Sequence, residues 1–214
     1  HPGEIDLIER YVEVQFWFAG FPGPNPADEP ASYAYPPASY VLLWPLLGWL
    51  PLQGAIILWA VTSVIALGWL IVLAVRESRV GGGPGRLFVI LLPLSMYAAG
   101  ATIGNGQLPL HVLPMLLTGI LFLRRGPPTW SRDVGGSVLV LASLVKPTIS
   151  APFFWIVAFT LGRWRPFMLV VFGYVVLTLA SSPFRPDGPV AQLRDWLAFG
   201  SGSALYEGSI DDQI

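Results

Sequence analysis

Residues Val134–Leu161 read VGGSVLVLASLVKPTISAPFFWIVAFTL and contain one charged residue, Lys146, which Pro147 follows directly. The stretch is longer than the roughly 20 apolar residues that one membrane crossing needs. A charge at membrane depth is costly, so such a residue is usually buried in protein, paired and functional. The Lys-Pro pair therefore predicts a break in a membrane segment and a functional cation at that break.

The composition is that of an integral membrane protein. The 214 residues are 54% hydrophobic and 12% charged, whereas soluble domains have about 25% charged residues. There is no cysteine and the net charge is -1, which excludes disulfides and thiolate metal sites and gives no reason to expect a nucleic-acid partner. The only adjacent acids, Asp28-Glu29 and Asp211-Asp212, are typical of solvated loops, so we expect neither a metal nor a cofactor.

Six apolar segments predict an all-α, polytopic transmembrane helical bundle with short broken helices and outer-face loops. Only Gly54–Val75 is an unambiguous single span. The other segments are short or interrupted, at Pro93, at Gly104–Gln107, at Pro114 and at Lys146-Pro147, and neighbouring helices would satisfy the freed backbone groups. The segments are Tyr40–Trp49, Gly54–Val75, Leu87–Ile103, Leu108–Leu123, Val134–Leu161 and Phe167–Ala180.

The arginines predict the topology, because Lys and Arg concentrate in short cytoplasmic loops. If all the arginine clusters lie on the cytoplasmic side, Val134–Leu161 must enter the membrane and return to the same side, with its turn at Lys146-Pro147. Each arm of this hairpin then has about 12 to 14 residues and is about 18 to 21 Å long. The alternative is one kinked helix that crosses once and places the last cluster outside. The clusters are Arg76, Arg79 and Arg86; Arg124, Arg125 and Arg132; and Arg163 and Arg165.

The acidic residues predict that the chemistry is extracytoplasmic. We expect residues 1–39 to form an outer loop with a candidate catalytic acid, residues 40–181 the transmembrane bundle, and residues 182–214 an outer segment that continues beyond Ile214. Of the 13 acidic residues, only Glu77 and Asp133 lie outside these two outer stretches. No acid lies within an apolar segment, which disfavours a proton-coupled transporter. A cation beneath a carboxylate-rich surface suits an anionic lipid head group that reacts with a polar acceptor.

Four stretches follow one another along this membrane pattern: Gly3–Tyr11, Tyr35-Pro36-Pro37 leading into Tyr40–Leu50, Gly104–Gln107, and Ala142–Pro147 with Arg163-Trp164-Arg165. Together they resemble the GT-C superfamily of membrane glycosyltransferases, specifically glycosyltransferase family 87, the polyprenyl-phosphate-mannose-dependent α-mannosyltransferase-like proteins. The resemblance covers nearly the whole chain. Family members carry a further Asn-Gln-Ser motif where this chain has Asp211-Asp212-Gln213, so either that motif lies beyond Ile214 or this is a divergent member. They also have a membrane helix before the first outer loop, which we expect ahead of His1.

The resemblance implies an inverting hexosyltransferase, expected to be a mannosyltransferase, in a plasma membrane such as the bacterial inner membrane. A polyprenyl-monophosphate sugar would be the donor and a lipid or glycan the acceptor, at the extracytoplasmic face and without metal. Lys146 would stabilise the leaving phosphate as a point charge, and a carboxylate would take the acceptor proton. The alternatives are a transporter or a noncatalytic membrane subunit that binds polyprenyl lipids.

Asp6 best matches the family's catalytic acid, with Glu9 and Glu4 as alternatives. Asp6 equally suits a cap or first-turn acid of a helix over Leu7–Phe18.

The weaker substrate-binding candidates lie elsewhere along the chain. Asn105 and Gln107 suit hydrogen bonds to sugar or phosphate, although Asn between glycines is also a routine turn residue. His111 lies one helical turn beyond Gln107, and a structural role is the alternative for it. The full set is Glu9, Tyr11, Tyr35, Asn105, Gln107 and His111.

Overall fold

The computed structural model describes residues 5–21, 33–95, 97–160 and 162–207, and the regular elements in these ranges are all helical. The all-α prediction is therefore confirmed for this part of the chain. The α-helices are α1 Ile5–Ala19, α2 Pro37–Leu47, α3 Leu52–Ser78, α4 Gly83–Ser95, α5 Tyr97–Gly104, α6 Pro109–Arg124, α7 Trp130–Ser143, α8 Pro147–Trp155, α9 Trp164–Ser181 and α10 Pro189–Glu207, with a π-helical turn Ile156–Thr160 after α8 and a 3-10 turn Ser182–Phe184 after α9.

The arginine clusters meet at one end of the bundle, here called the arginine end. Arg125 pairs with Glu77, which joins the end of α6 to the end of α3. Arg163 pairs with the buried Asp133 at 2.9 Å and also donates to the Leu123 carbonyl at 3.0 Å. A continuous helix would separate residues 133 and 163 by about 45 Å. The chain therefore reverses between α7 and α8, as the hairpin prediction requires, and the single kinked helix is excluded.

The reversal at Lys146 is held by hydroxyl and backbone hydrogen bonds. Helix α7 ends at Ser143 and α8 begins at Pro147, with Lys146 as its N-cap residue. The buried Ser150 hydroxyl donates to the Ser143 carbonyl at 2.8 Å, so it links the end of α7 to the first turn of α8. Pro147 at the first helical position has no N–H to leave unsatisfied, which favours a helix start there.

Helices α6 and α7 pack closely because glycines face each other. A Cβ on Gly119 would lie 2.8 Å from Val140 and 3.1 Å from the Gly136 carbonyl, and one on Gly136 would lie 2.5 Å from Leu123. Small residues at helix contacts are typical of membrane bundles. This contact sets the relative height of the two helices, and thus of the turns that precede α6 and follow α7.

Apolar side chains cover much of the outer surface. Two helical stretches, Leu52–Ser78 and Trp164–Phe184, are long and apolar enough to span a membrane, and only 22% and 17% of their apolar windows are buried. Ile57, Phe88 and Phe172 are at least 65% exposed. Such faces suit contact with lipid rather than water. The shorter helices α4, α6 and α8 do not reach the same length, which agrees with the prediction of short, broken segments.

One predicted interruption, Pro114, lies within a continuous helix, whereas α4 ends at Ser95, two residues after Pro93, and α5 begins at Tyr97. Pro93 lies inside α4 and Pro114 inside α6. Pro114 is the sixth residue of α6, so it removes one backbone hydrogen bond, the one to the carbonyl four residues earlier, and the helix continues through it. A proline near a helix start therefore does not break the segment.

Helices α1 and α2 cover the end of the bundle opposite the arginines, here called the cavity end. Gln15 donates to the Leu47 carbonyl at 2.8 Å, and the Trp17 ring stacks on Tyr40 with centroids 4.4 Å apart. The Trp17 indole also donates to the Ser181 carbonyl at the end of α9. Helix α2 thus contacts α1 near its start, through Tyr40, and at its end, through Leu47.

Candidate active site

A cavity of about 290 Å³ at the cavity end brings together side chains from distant parts of the chain. Its volume is at the small end of the range for small-molecule sites, about 300–1,000 Å³. Four residues predicted from the sequence line it, namely Asp6, Tyr35, Gln107 and Lys146. The complete lining is Asp6, Arg10, Ala34, Tyr35, Pro36, Gly106, Gln107, Leu108, Lys146, Pro147, Thr148 and Trp196.

Asp6 is held at the cavity by the first turn of α1. It is the second residue of that helix, and Leu7 next to it is buried against the bundle. Gly106 approaches this turn so closely that a Cβ would clash with Leu7 and lie 3.2 Å from its backbone nitrogen. The two interpretations of Asp6 are thus compatible, because a first-turn acid of α1 also faces the cavity.

Gly104–Gln107 forms a helix C-cap that presents Gln107 to the cavity. Gly106 has φ +70°, the Gly106 N–H donates to the Ile103 carbonyl, and the Gln107 N–H donates to the Thr102 carbonyl at 2.9 Å. These two bonds and the left-handed residue define a Schellman motif at the end of α5. The motif needs glycine at position 106 both for its φ and for its contact with α1.

The cavity attracts negative charge. Helices α2, α6 and α8 begin at its wall with Pro36, Leu108 and Lys146 as N-cap residues. A helix N-terminus carries about half a positive elementary charge, and anions bind there readily. Lys146, at the start of α8, adds a full positive charge to the same wall.

Lys146 is half-buried in the break between α7 and α8. Its ammonium group interacts electrostatically with the carboxylate of Asp6 and with the guanidinium of Arg10, which line the same cavity. Within the described residues, no carboxylate forms an ion pair with Lys146. The ammonium group is therefore available to an anion in the cavity.

Arg10 is a second cation in the cavity wall, and the sequence analysis did not identify it. Its Nη1 donates to both carboxylate oxygens of Glu13, at 2.6 and 2.7 Å, and its guanidinium lies over the Tyr35 ring at 5.0 Å. Glu13 is 4% exposed and accepts a hydrogen bond from the Tyr40 hydroxyl at 3.2 Å. Burial raises the pKa of Glu13, and Arg10 opposes that effect.

An apolar groove continues from the polar cavity. It shares Pro36, Pro147 and Trp196 with the cavity and runs between α8 and α9 toward Val170 and Tyr174, with a volume of about 290 Å³. Trp196 lines both spaces, and its indole N–H donates to the Ala34 carbonyl at 3.3 Å. The two together form an amphiphilic site, with charge at one end and hydrocarbon surface at the other.

Four other predicted residues do not line the cavity. Glu9 is exposed and pairs with Arg10 at 3.1 Å. The Tyr11 hydroxyl donates to the Leu50 carbonyl, and Asn105 is exposed in the turn. The buried His111 hydrogen-bonds with Thr62 at 3.0 Å and packs beside Trp59.

The placement of His111 corrects its expected position. Its spacing from Gln107 implied a shared helical face, but α6 begins only at Pro109, so Gln107 belongs to the preceding turn. Glu4 lies outside the described residues, as do Asp28-Glu29 and Asp211-Asp212.

Sequence patterns contained a signal for Arg10 but a weaker one for Trp196. Arg10 lies four residues after Asp6, a spacing that puts both on one face of α1. Trp196 is the only tryptophan in the predicted outer stretch 182–214. Its contact with Ala34 joins residues far apart in the sequence, which no local pattern predicts.

The fold and site together define a helical membrane protein with an amphiphilic cavity that carries an acid and two cations. The sequence model of glycosyltransferase family 87 matches residues 33–212, most of the chain, so the chain belongs to that family and is a membrane glycosyltransferase. Asp6 and Arg10 precede the matched residues. No curated protein and no solved structure matches the chain.

Proposed function

We propose that this glycosyltransferase transfers a hexose, expected to be mannose, from a polyprenyl-monophosphate donor to a lipid or glycan acceptor. The observation that carries the proposal is the shared wall between the polar cavity and the apolar groove. A donor of this class has one phosphate between a sugar and a hydrocarbon chain, and so it needs a charged site directly beside an apolar one. The family match favours a transferase over the transporter alternative.

The reaction requires one base and one site for developing negative charge. The acceptor oxygen attacks the anomeric carbon, the bond from that carbon to the phosphate oxygen breaks, and the electron pair remains on the phosphate. Asp6 takes the acceptor proton. Lys146 and the N-terminus of α8 stabilise the phosphate as its charge increases. Attack on the face opposite the phosphate inverts the anomeric configuration.

The apolar groove suits the first isoprene units of the donor. Its surface is formed by aliphatic and aromatic side chains of α8 and α9, such as Ala151, Phe154 and Val170, and each buried CH₂ contributes about 0.8 kcal/mol. Trp196 lies where the phosphate meets the hydrocarbon. A polyprenyl chain thus gains binding energy that a nucleotide donor, which is polar throughout, lacks.

The proposed topology places the cavity end outside the cell and the arginine end in the cytoplasm, in agreement with the orientation rule. The chain has no cysteine, so single-cysteine variants report one position each. We expect a membrane-impermeant maleimide on intact cells to label the exposed Asn105→Cys at the cavity end. Gly81→Cys, at an open position of the arginine end, should react only after permeabilisation. Labelling of position 81 alone would reverse the proposed sidedness.

Transfer from defined donors tests the proposed activity. Membranes that contain the whole protein are supplied with radiolabelled mannose as either the polyprenyl monophosphate or the nucleotide sugar, with an inhibitor of conversion between them. We expect label in lipid or glycan products only from the polyprenyl donor. Equal transfer of glucose from its polyprenyl phosphate would correct the sugar, and transfer from the nucleotide sugar alone would overturn the donor class.

A further inference from the structure

Arg10 is fixed in the cavity wall before any ligand binds. Its side chain is only 14% exposed and that of its partner Glu13 only 5%. The Tyr40 hydroxyl donates to Glu13 and accepts a hydrogen bond from the Tyr35 N–H at 3.2 Å. The guanidinium is thus tied to the backbone segment that carries Tyr35 and Pro36 along the same wall.

Arg10 retains donors for an anion. Its contacts with Glu13 and Glu9 use three hydrogen bonds, while a guanidinium has five N–H groups. Burial disfavours the charge of Arg10, but Glu13 and neighbouring groups more than offset this effect and raise the pKa of Arg10 above its ordinary value. The charge therefore persists at neutral pH.

Arg10 and Lys146 reach the cavity from different elements, the first from α1 and the second from the start of α8. They line the same cavity, so their like charges repel each other across it. A pair of cations that repel each other across a cavity is stabilised when an anion binds between them. A ligand with two negative charges gains more from this arrangement than one with a single charge.

From this geometry we infer that Arg10 binds the phosphate of the lipid product and distinguishes its two negative charges from the single charge of the donor. The inference rests on the proposed function. A sugar phosphodiester carries one negative charge, whereas the released phosphomonoester carries about −1.5 to −2 at pH 7. Transfer breaks the bond between the anomeric carbon and the phosphate oxygen and leaves its electron pair on that oxygen, so Arg10 meets the charge as it develops.

Binding of two lipids that differ only in charge tests the inference without sugar transfer. The probes are a C55 prenyl monophosphate and its methyl ester, added to the whole protein in nanodiscs. We expect the wild type to bind the monophosphate more tightly than the methyl ester. Arg10→Gln combined with Glu13→Gln should reduce this ratio of affinities about tenfold, which corresponds to the free energy of one hydrogen bond between charged groups. The double variant leaves no unpaired buried charge. Arg10→Lys should retain most of the preference.

Arg194→Gln is the matched control, because Arg194 is a largely exposed arginine outside the cavity lining. The Arg194→Gln protein should prefer the monophosphate over its methyl ester as strongly as the wild type does. An unchanged preference in the Arg10→Gln/Glu13→Gln variant, in a protein that transfers sugar, would overturn the role of Arg10 alone. Failure of the wild type to bind either lipid would overturn the role together with the proposed lipid donor.

Discussion

Asp6→Asn is expected to lower kcat for sugar transfer by about 10² to 10⁴-fold, the usual contribution of a positioned general base. The substitution keeps the size and the hydrogen-bonding side chain but removes the group that accepts the acceptor proton. Because Asp6 is a half-buried residue of the first helical turn, the loss of its dipole contribution should cost only about 0.3–1 kcal/mol of stability. Activity should therefore fall far more than stability does.

Glu9→Gln is the control that separates the two described candidate bases. Glu9 lies on the same helix, is exposed and pairs with Arg10, yet it does not line the cavity. We expect this variant to retain transfer within a few-fold of wild type. Donor binding should be nearly unchanged in Asp6→Asn, since the carboxylate acts on the acceptor. Full activity of Asp6→Asn, or a greater loss in Glu9→Gln, contradicts the assignment of the base.

Lys146→Met is expected to lower kcat by about 10² to 10³-fold, comparable with the loss of one donor that stabilises developing negative charge. Methionine keeps an unbranched apolar stem, and Lys146 makes no side-chain cap hydrogen bond to α8. The fold at the Lys-Pro break should therefore persist, which a thermal unfolding curve can verify. The donor KM should rise as well, because the donor phosphate already carries one negative charge.

The pH dependence of kcat/KM provides a second measurement for Lys146, since it reports groups of the free enzyme. The Lys146 ammonium stabilises the phosphate only while it is protonated, and an ordinary lysine has a pKa of about 10.4. We expect kcat/KM of the wild type to fall as pH rises into this range. In Lys146→Arg the fall should move to higher pH, because arginine stays charged. Wild-type activity in Lys146→Met would show that the phosphate is held elsewhere.

The overall path of the chain was predictable because charges and prolines mark it. Arginine clusters indicate which loops share a side, and Lys146-Pro147 marks the reversal that the ion pair of Arg163 with Asp133 demonstrates. Proline alone was less informative, since α6 continues through Pro114. Its effect depends on its position within the helix, which cannot be known before the helix start is known.

The cavity was predictable in part. Asp6, Gln107 and Lys146 were identified from family-like stretches, and they do line one cavity. His111 was misplaced because the turn at Gly106 ends one helix before the next begins. The wall provided by Trp196 depends on packing of α10 beside Ala34, and such long-range contacts leave no period or spacing in the sequence.

The fate of the phosphate is the most direct test of the proposed reaction. Purified whole protein is incubated with polyprenyl-phosphate mannose and acceptor lipid, and ³¹P NMR follows the phosphodiester while mass spectrometry counts the glycosidic bonds formed. The proposal predicts one polyprenyl monophosphate for each mannose transferred, with conversion by Asp6→Asn slower by about 10² to 10⁴-fold. Absence of conversion by the wild type, while a nucleotide sugar or a polyprenyl diphosphate sugar supports transfer, would contradict it.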